Sequence, residues 1–275
     1  MQGTPSRTAF RVANRRAAHQ LLDRPLVFEG PLAVRIVGGR VDTKESPMSS
    51  ALRAFMAVRS RFAEDRLRKA VSRGAEQYVL LGAGLDTFAY RNPFPIRVFE
   101  VDHPATQAWK RELLEEAGIA PAEAATFVAV DFERDDLRQC LAESGFDLRE
   151  PAFFSWLGVT PYLTREAFDE TLEFLASTAR ESGVAFDWCV DLAMLSATER
   201  MAVEALAARV ANVGEPFHLF FRPEDLAGSL RAAGFDDIET MGRDDINACY
   251  FADRNDGLHV PGAAARLTCA TKRGG

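Results

Sequence analysis

The stretch with the plainest chemical use is an apolar run closing on two glycines, Gln77-Tyr78-Val79-Leu80-Leu81-Gly82-Ala83-Gly84. A strand that turns on glycine lets a nucleoside approach its backbone, because no side chain stands in the way. A second apolar run, Val98-Phe99-Glu100-Val101-Asp102, then ends on acids. An acid at the tip of the neighbouring strand can accept hydrogen bonds from ribose hydroxyls. Ligands of parallel sheets bind beyond the carboxyl ends of the strands, so Asp102, followed directly by His103-Pro104, is expected to take the ribose, with Glu100 second. The alternative for either acid is capping of the next helix. Thr87 stands where the third glycine of a dinucleotide fingerprint belongs, so the turn alone is equally a tight strand-to-helix connection.

Two further strand tips extend the pattern. In Val128-Ala129-Val130-Asp131-Phe132, an acid followed by an aromatic suits an adenine ring and its amine, although Asp131 could also cap a helix. In Trp156-Leu157-Gly158-Val159-Thr160-Pro161-Tyr162, the residues are expected to line the reacting end of a cofactor. Trp156 is of a type usually found in cores, and Tyr162 is a candidate for shaping the pocket or hydrogen-bonding an acceptor. Upstream, Arg53, Arg59, Arg61, Arg66, Arg68 and Arg73 surround one helical segment. They read as a solvated face, or one of them reaches a ligand carboxylate, in which case Arg59 or Arg61, beside Phe62, is favoured. The four histidines are isolated, with only His103 near the proposed site, and no metal-ligand spacing, nucleophile elbow or P-loop occurs.

These residues need a sheet to hold them. The patterning predicts strands over 78–82, 96–102, 126–130, 152–157 and 183–189, alternating with helices over 104–117, 133–143, 164–180 and 196–211. Continuous apolar strands separated by helices imply a parallel sheet covered on both faces. A helix from Pro223 to Ala232, a strand over 236–241, a polar stretch through Gly262 and a strand over 265–271 suggest an antiparallel addition at one edge. Ahead of the sheet, helical spacing over 5–22, with Thr4 or Ser6 as cap and Pro5 in the first turn, predicts a helix outside it. A short helical piece over 32–37 and a longer helix over 51–71, opened by Ser46-Pro47, follow. Residues 1–76 are thus expected to form a helical extension or lid, and 77–275 a cofactor-binding core with an inserted substrate segment at about 212–262.

With 33 basic and 40 acidic residues among 275, the net charge of −7 argues against a general grip on nucleic acid or an anionic membrane. The four cysteines lack paired spacing, and no apolar run approaches ~18 residues, so a soluble cytoplasmic protein without disulfides is expected.

Taken together, Leu80-Leu81-Gly82-Ala83-Gly84-Leu85-Asp86-Thr87, Phe99-Glu100-Val101-Asp102, Asp131-Phe132, Arg59-Ser60-Arg61-Phe62 and Pro161-Tyr162-Leu163-Thr164 resemble the leucine carboxyl methyltransferase family, in particular its bacterial branch. The resemblance implies a class I methyltransferase fold, Rossmann-like, with a mostly parallel seven-stranded α/β sheet, N-terminal helices and a lid. It implies S-adenosylmethionine as cofactor and S-adenosylhomocysteine as product. Arg59 would take the methionine carboxylate, Gly82 the turn, Asp102 the ribose, and Asp131 with Phe132 the adenine end; Ala83, Gly84 and His103 are expected beside them as further cofactor contacts, with His103 equally readable as a turn residue. Trp156 and Leu157 would flank the cofactor and Tyr162 the reaction centre. Many relatives carry a Glu at the position of Leu157 that binds the cofactor's amino group, and this chain departs from them there. A small-molecule carboxylate from a natural-product pathway is the expected acceptor, because a carboxylate attacks a sulfonium methyl group without a general base. A phenol or enol acceptor ranks second, and an NAD(P)-dependent oxidoreductase or a non-catalytic cofactor-binding protein are the readings of other classes.

Overall fold

The carboxyl ends of four parallel strands converge on one crevice, and the topology explains why. The computed structural model describes residues 6–273 except 133 and 213. Among these, β1 (Gln77–Leu81), β2 (Arg97–Asp102), β3 (Ala125–Ala129), β4 (Ala152–Trp156), β5 (Gly183–Cys189), β6 (Asp237–Met241) and β7 (Ala265–Thr271) form one sheet in the order β3-β2-β1-β4-β5-β7-β6. β7 alone is antiparallel to its neighbours. Strand order reverses between β1 and β4, and this switch point opens the crevice at which open α/β sheets bind ligands.

The helices are α1 (Arg7–Leu22), α2 (Leu32–Ile36), α3 (Pro47–Ser72), α4 (Pro104–Glu116), α5 (Leu137–Glu143), α6 (Arg165–Ala176), α7 (Ala197–Ala211), α8 (Pro223–Ala232) and α9 (Arg243–Tyr250). The two-residue period of the strands sorts their side chains between two cores. Val79, Leu81, Phe154 and Trp156 face α5, α6 and α8, packing with Leu141, Phe168 and Leu230. Tyr78, Leu80 and Phe153 face α3, packing with Phe55, Val58 and Phe62. Each such fully buried side chain contributes about 1.5–3 kcal/mol.

As expected, α1 lies outside the sheet, against α2 and α3. Ser6 caps it, its Oγ accepting from Ala9 N at 3.1 Å. Thr4 and Pro5 lie outside the described residues. Several elements differ from the sequence reading: α3 already begins at Pro47, where Ser46 Oγ accepts from Ser49 N at 3.1 Å. α5 starts at Leu137 because the Asp136 carboxylate takes the Gln139 amide at 3.1 Å. α6 stops at Ala176, where the Lys272 ammonium reaches the carbonyls of Leu175 and Ala176 at 3.3 and 2.9 Å. The polar stretch after β6 contains α9, which buries Ile246 and fastens the loop beyond it through two Asn247 side-chain bonds to Val260, each 2.9 Å.

No helix among the described residues is long and apolar enough to cross a membrane. All four cysteines are free.

Candidate active site

A cavity of about 420 Å³ occupies the crevice, a size suited to a nucleoside-bearing ligand. Its floor is the glycine turn. Gly82 has φ +71°, and a Cβ there would run into Cγ2 of Val159, so both backbone shape and space require glycine. The amides of Gly82 and Ala83 donate to Val101 O at 2.9 Å, tying the turn to β2. Asp102 completes the tie: its carboxylate accepts from the Gly84 amide at 2.6 Å and the His103 amide at 2.7 Å. Burial pushes the Asp102 carboxyl above its ordinary pKa, and the two amides pull against that. A carboxylate has about four acceptor positions, so capacity for ribose hydroxyls is left.

Geometry separates the competing acids. Glu100, two residues back on the same face, never reaches the cavity. It is fully buried, with its carboxylate 2.7 Å from the Lys110 ammonium of α4. Neither Asp102 nor Asp131 is a helix cap. His103 caps α4, its Nδ1 accepting from Ala105 N at 3.2 Å, and Asp136 caps α5. Asp131 lines the cavity with Phe132, its amide donating to Asp135 Oδ2 at 2.8 Å.

The two arginines are separated by helix rotation. Arg59 is buried and lines the cavity, its Nη1 3.0 Å from Asp187 Oδ2 of β5. Arg61 points to solvent and pairs with Asp65 at 2.9 Å. Arg53 is buried too, holding Asp23 with Nε at 2.8 Å and Nη2 at 3.0 Å, so α3 is not simply a solvated face.

At the fourth strand tip, Leu157 and Gly158 line the cavity, and Tyr162 does so from a 3-10 turn, Thr160–Tyr162. Trp156 does not. It is 1% exposed and stacked on Phe168 at 5.2 Å, on the far side of the sheet from α3. Strand alternation sends Ser155 and Leu157 toward the crevice and Trp156 away. Tyr162 packs edge-on against Phe217 at 5.2 Å. Burial pushes its hydroxyl up to about 12, with Arg59 opposing and Glu215 and Asp187 adding to the rise.

Several cavity residues were not singled out from the sequence. Thr8, Ala9, Val12 and Arg16 lie along one side of α1, and Ala9 Cβ would stand 3.3 Å from a Cβ at Gly84. Arg16 pairs with Asp86 and donates Nη2 to Leu85 O at 2.9 Å. From the opposite rim come Glu215, Pro216 and His218. Ser6 Oγ donates to Glu215 Oε1 at 2.8 Å, joining the two rims. The His218 and Leu219 amides donate to Pro161 O at 2.7 and 3.2 Å. The i, i+4, i+8 row at 8, 12 and 16 is a helix face, but nothing in it says what that face covers.

Residues 9–176 match the family model described as leucine carboxyl methyltransferase. Bacillus subtilis YktD, provisionally named an S-adenosyl-L-methionine-dependent methyltransferase, is 35% identical over 205 residues, 73% of this chain and 67% of its own length. A provisionally so-named protein of Mycobacteroides abscessus is 36% identical over 178 residues, 61% of this chain and 59% of its own. Another, from Mycobacterium avium, is 30% identical over 291 residues, covering 97% of this chain and 85% of itself. Among solved structures, a provisionally named methyltransferase of Thermobifida fusca superposes with a TM-score of 0.59 at 18% identity over 99% of this chain and 97% of its own. The magnesium protoporphyrin IX methyltransferase of Synechocystis, solved with bound S-adenosylhomocysteine, gives 0.51 at 12% identity over 87% and 91%. At these identities the structural likeness is one of fold, and that fold is the class I methyltransferase sheet. With the family match spanning more than half of its length, the chain belongs to the leucine carboxyl methyltransferase family.

Proposed function

We propose that this S-adenosylmethionine-dependent methyltransferase methylates a carboxylate oxygen of a small-molecule acceptor. The enzyme class and cofactor follow from the family. The acceptor and the residue roles are our reading. The observation that carries it is the chemistry available around Tyr162. Its hydroxyl, pushed up to about 12, stays protonated near neutrality and cannot serve as a base, and His103 Nδ1 is engaged as a helix cap. A carboxylate is already ionised and needs neither.

The residues present suit the cofactor. Glycine at 82 clears a cradle that a Cβ would fill. Bound S-adenosylmethionine supplies a methyl group activated on a sulfonium. Gly82, Ala83 and Gly84 bring backbone close to it, Asp102 and His103 hold the ribose end, Asp131 and Phe132 flank the adenine, and Arg59 takes the methionine carboxylate, with Leu157 as an apolar wall. Tyr162 donates a hydrogen bond that orients the acceptor. We assign acceptor selection to α1 and the 214–218 segment, the two rims joined by Ser6 and Glu215, and to the wider 1–76 and 212–262 regions. Enclosure between them excludes water and aligns the reactants, which is most of what a displacement at a methyl group requires.

A second reading, a phenol or enol acceptor, is favoured by His218, whose place on the cavity wall offers a base. Incubation with methyl-labelled S-adenosylmethionine and a panel of carboxylic acids and phenols tests both. Label released as methanol by mild alkali is expected, and alkali-stable label overturns the carboxylate reading.

A further inference from the structure

Three groups from three distant segments meet behind the cavity wall at the fourth strand tip. Asp187, in the interior of β5 and 5% exposed, does not line the cavity. Its Oδ1 accepts from the Gly158 amide at 2.6 Å, and its Oδ2 lies 3.0 Å from Nη1 of Arg59. Its own carbonyl accepts from Thr160 Oγ1 at 2.6 Å, so the backbone that carries the carboxylate is fixed to the same turn. Gly158 takes φ +70°, and a Cβ there would lie 2.8–2.9 Å from the Arg59 Nη atoms. The guanidinium is therefore confined between a carboxylate and a bare backbone. A long side chain of this kind otherwise loses considerable rotamer entropy when a ligand fixes it.

We infer that Asp187 is a positioning residue for cofactor recognition, holding Arg59 so that its remaining N–H groups face the cofactor's amino-acid carboxylate. The inference rests on the assignment of Arg59 to that carboxylate. The acid that reaches this turn comes from β5 and is committed to Arg59 and the Gly158 amide, so it acts through Arg59. Pre-set geometry of this sort raises affinity by lowering the cost of ordering on binding.

The test compares two ligands of the same nucleoside pocket. S-adenosylhomocysteine carries the carboxylate, and 5′-methylthioadenosine lacks the whole amino-acid end. In Asp187→Asn, calorimetric affinity for S-adenosylhomocysteine is expected to fall roughly ten- to hundredfold, the value of one charge-assisted hydrogen bond. Affinity for methylthioadenosine should stay within about twofold. Should Asp187→Asn lack a cooperative thermal transition, Asp187→Glu, which keeps the charge but displaces it by a methylene, carries the same comparison. Equal losses for both ligands, or no loss for either, overturn the inference. Arg59→Lys separates it from the assignment beneath it. If that variant leaves the ratio of the two affinities unchanged, the assignment of Arg59 fails. If it shifts the ratio while the Asp187 variants do not, Arg59 keeps its role and the positioning by Asp187 fails.

Discussion

The guanidinium of Arg59 fills the space that any side chain at residue 158 would need, with Nη2 only 2.8 Å from where a Cβ would stand. Arg59 sits in the middle of α3 and Gly158 just past β4, so this contact ties the N-terminal helices to the fourth strand tip of the crevice. Gly158→Ala is therefore expected to displace Arg59 and to strain a backbone at φ +70°. A stability loss of about 1–3 kcal/mol in denaturant titration is expected, together with weaker binding of S-adenosylhomocysteine. Unchanged affinity would mean that Arg59 does not touch the ligand.

Asp102 makes a contrasting case, because we assign it to the nucleoside half. Asp102→Ala removes the acceptor for the Gly84 and His103 amides. It is expected to weaken S-adenosylhomocysteine and methylthioadenosine alike, by roughly tenfold or more in calorimetry. A loss confined to S-adenosylhomocysteine would contradict the ribose assignment.

The pH profile distinguishes the acceptor readings. With Tyr162 pushed up to about 12, no tyrosine titration falls near neutrality. For a carboxylate acceptor, kcat/KM should be level from about pH 6 to 8. Tyr162→Phe should lower the rate by about tenfold at most without changing the profile's shape. His218→Ala should leave carboxylate turnover near wild type. If it instead abolishes turnover, a hydroxyl acceptor that needs a base is indicated.

Asp86 links the glycine turn to acid stability. It is half-buried, and that desolvation alone would raise its pKa, but Arg16, Arg91 and Lys110, with the Phe88 amide, outweigh it and lower the pKa from 3.8 to about 2. A carboxyl group depressed in the folded state contributes stability above its unfolded pKa and loses it as pH falls through the folded value. That contribution, about 2 kcal/mol, should therefore disappear between about pH 4 and pH 2 in urea titrations. Asp86→Asn should remove this part of the acid sensitivity while lowering stability at pH 7. An unchanged slope would show that Arg16 and Arg91 do not act on it.

Much of this site was legible as strand tips. Gly82, Asp102, Asp131 and Leu157 all follow apolar runs, and the rule that ligands sit at carboxyl ends needs only the run and its end. Trp156 lies away from the crevice, against the expectation, because counting by twos along β4 puts Ser155 and Leu157 on one face and Trp156 on the other. Choosing between Arg59 and Arg61 depends on which side of α3 meets the sheet, and six scattered arginines blur that pattern. Helix α9 leaves almost no apolar pattern in the sequence, because it buries little beyond Ile246. Thr8, Arg16, Glu215 and His218 had no local signature at all. They meet only because α1 and the 214–218 segment close over the same crevice from opposite ends of the chain.

The antiparallel course of β7 has a practical consequence for attaching probes. Its direction delivers Thr271 to the amino edge of the parallel strands, opposite the crevice, whereas Ser6 stands at the cavity rim against Glu215. A fluorophore or surface tether joined after Lys272 would leave the entrance clear and report on the body of the protein. The same group joined ahead of Ser6 would hang over the opening and sense, or obstruct, whatever passes through it.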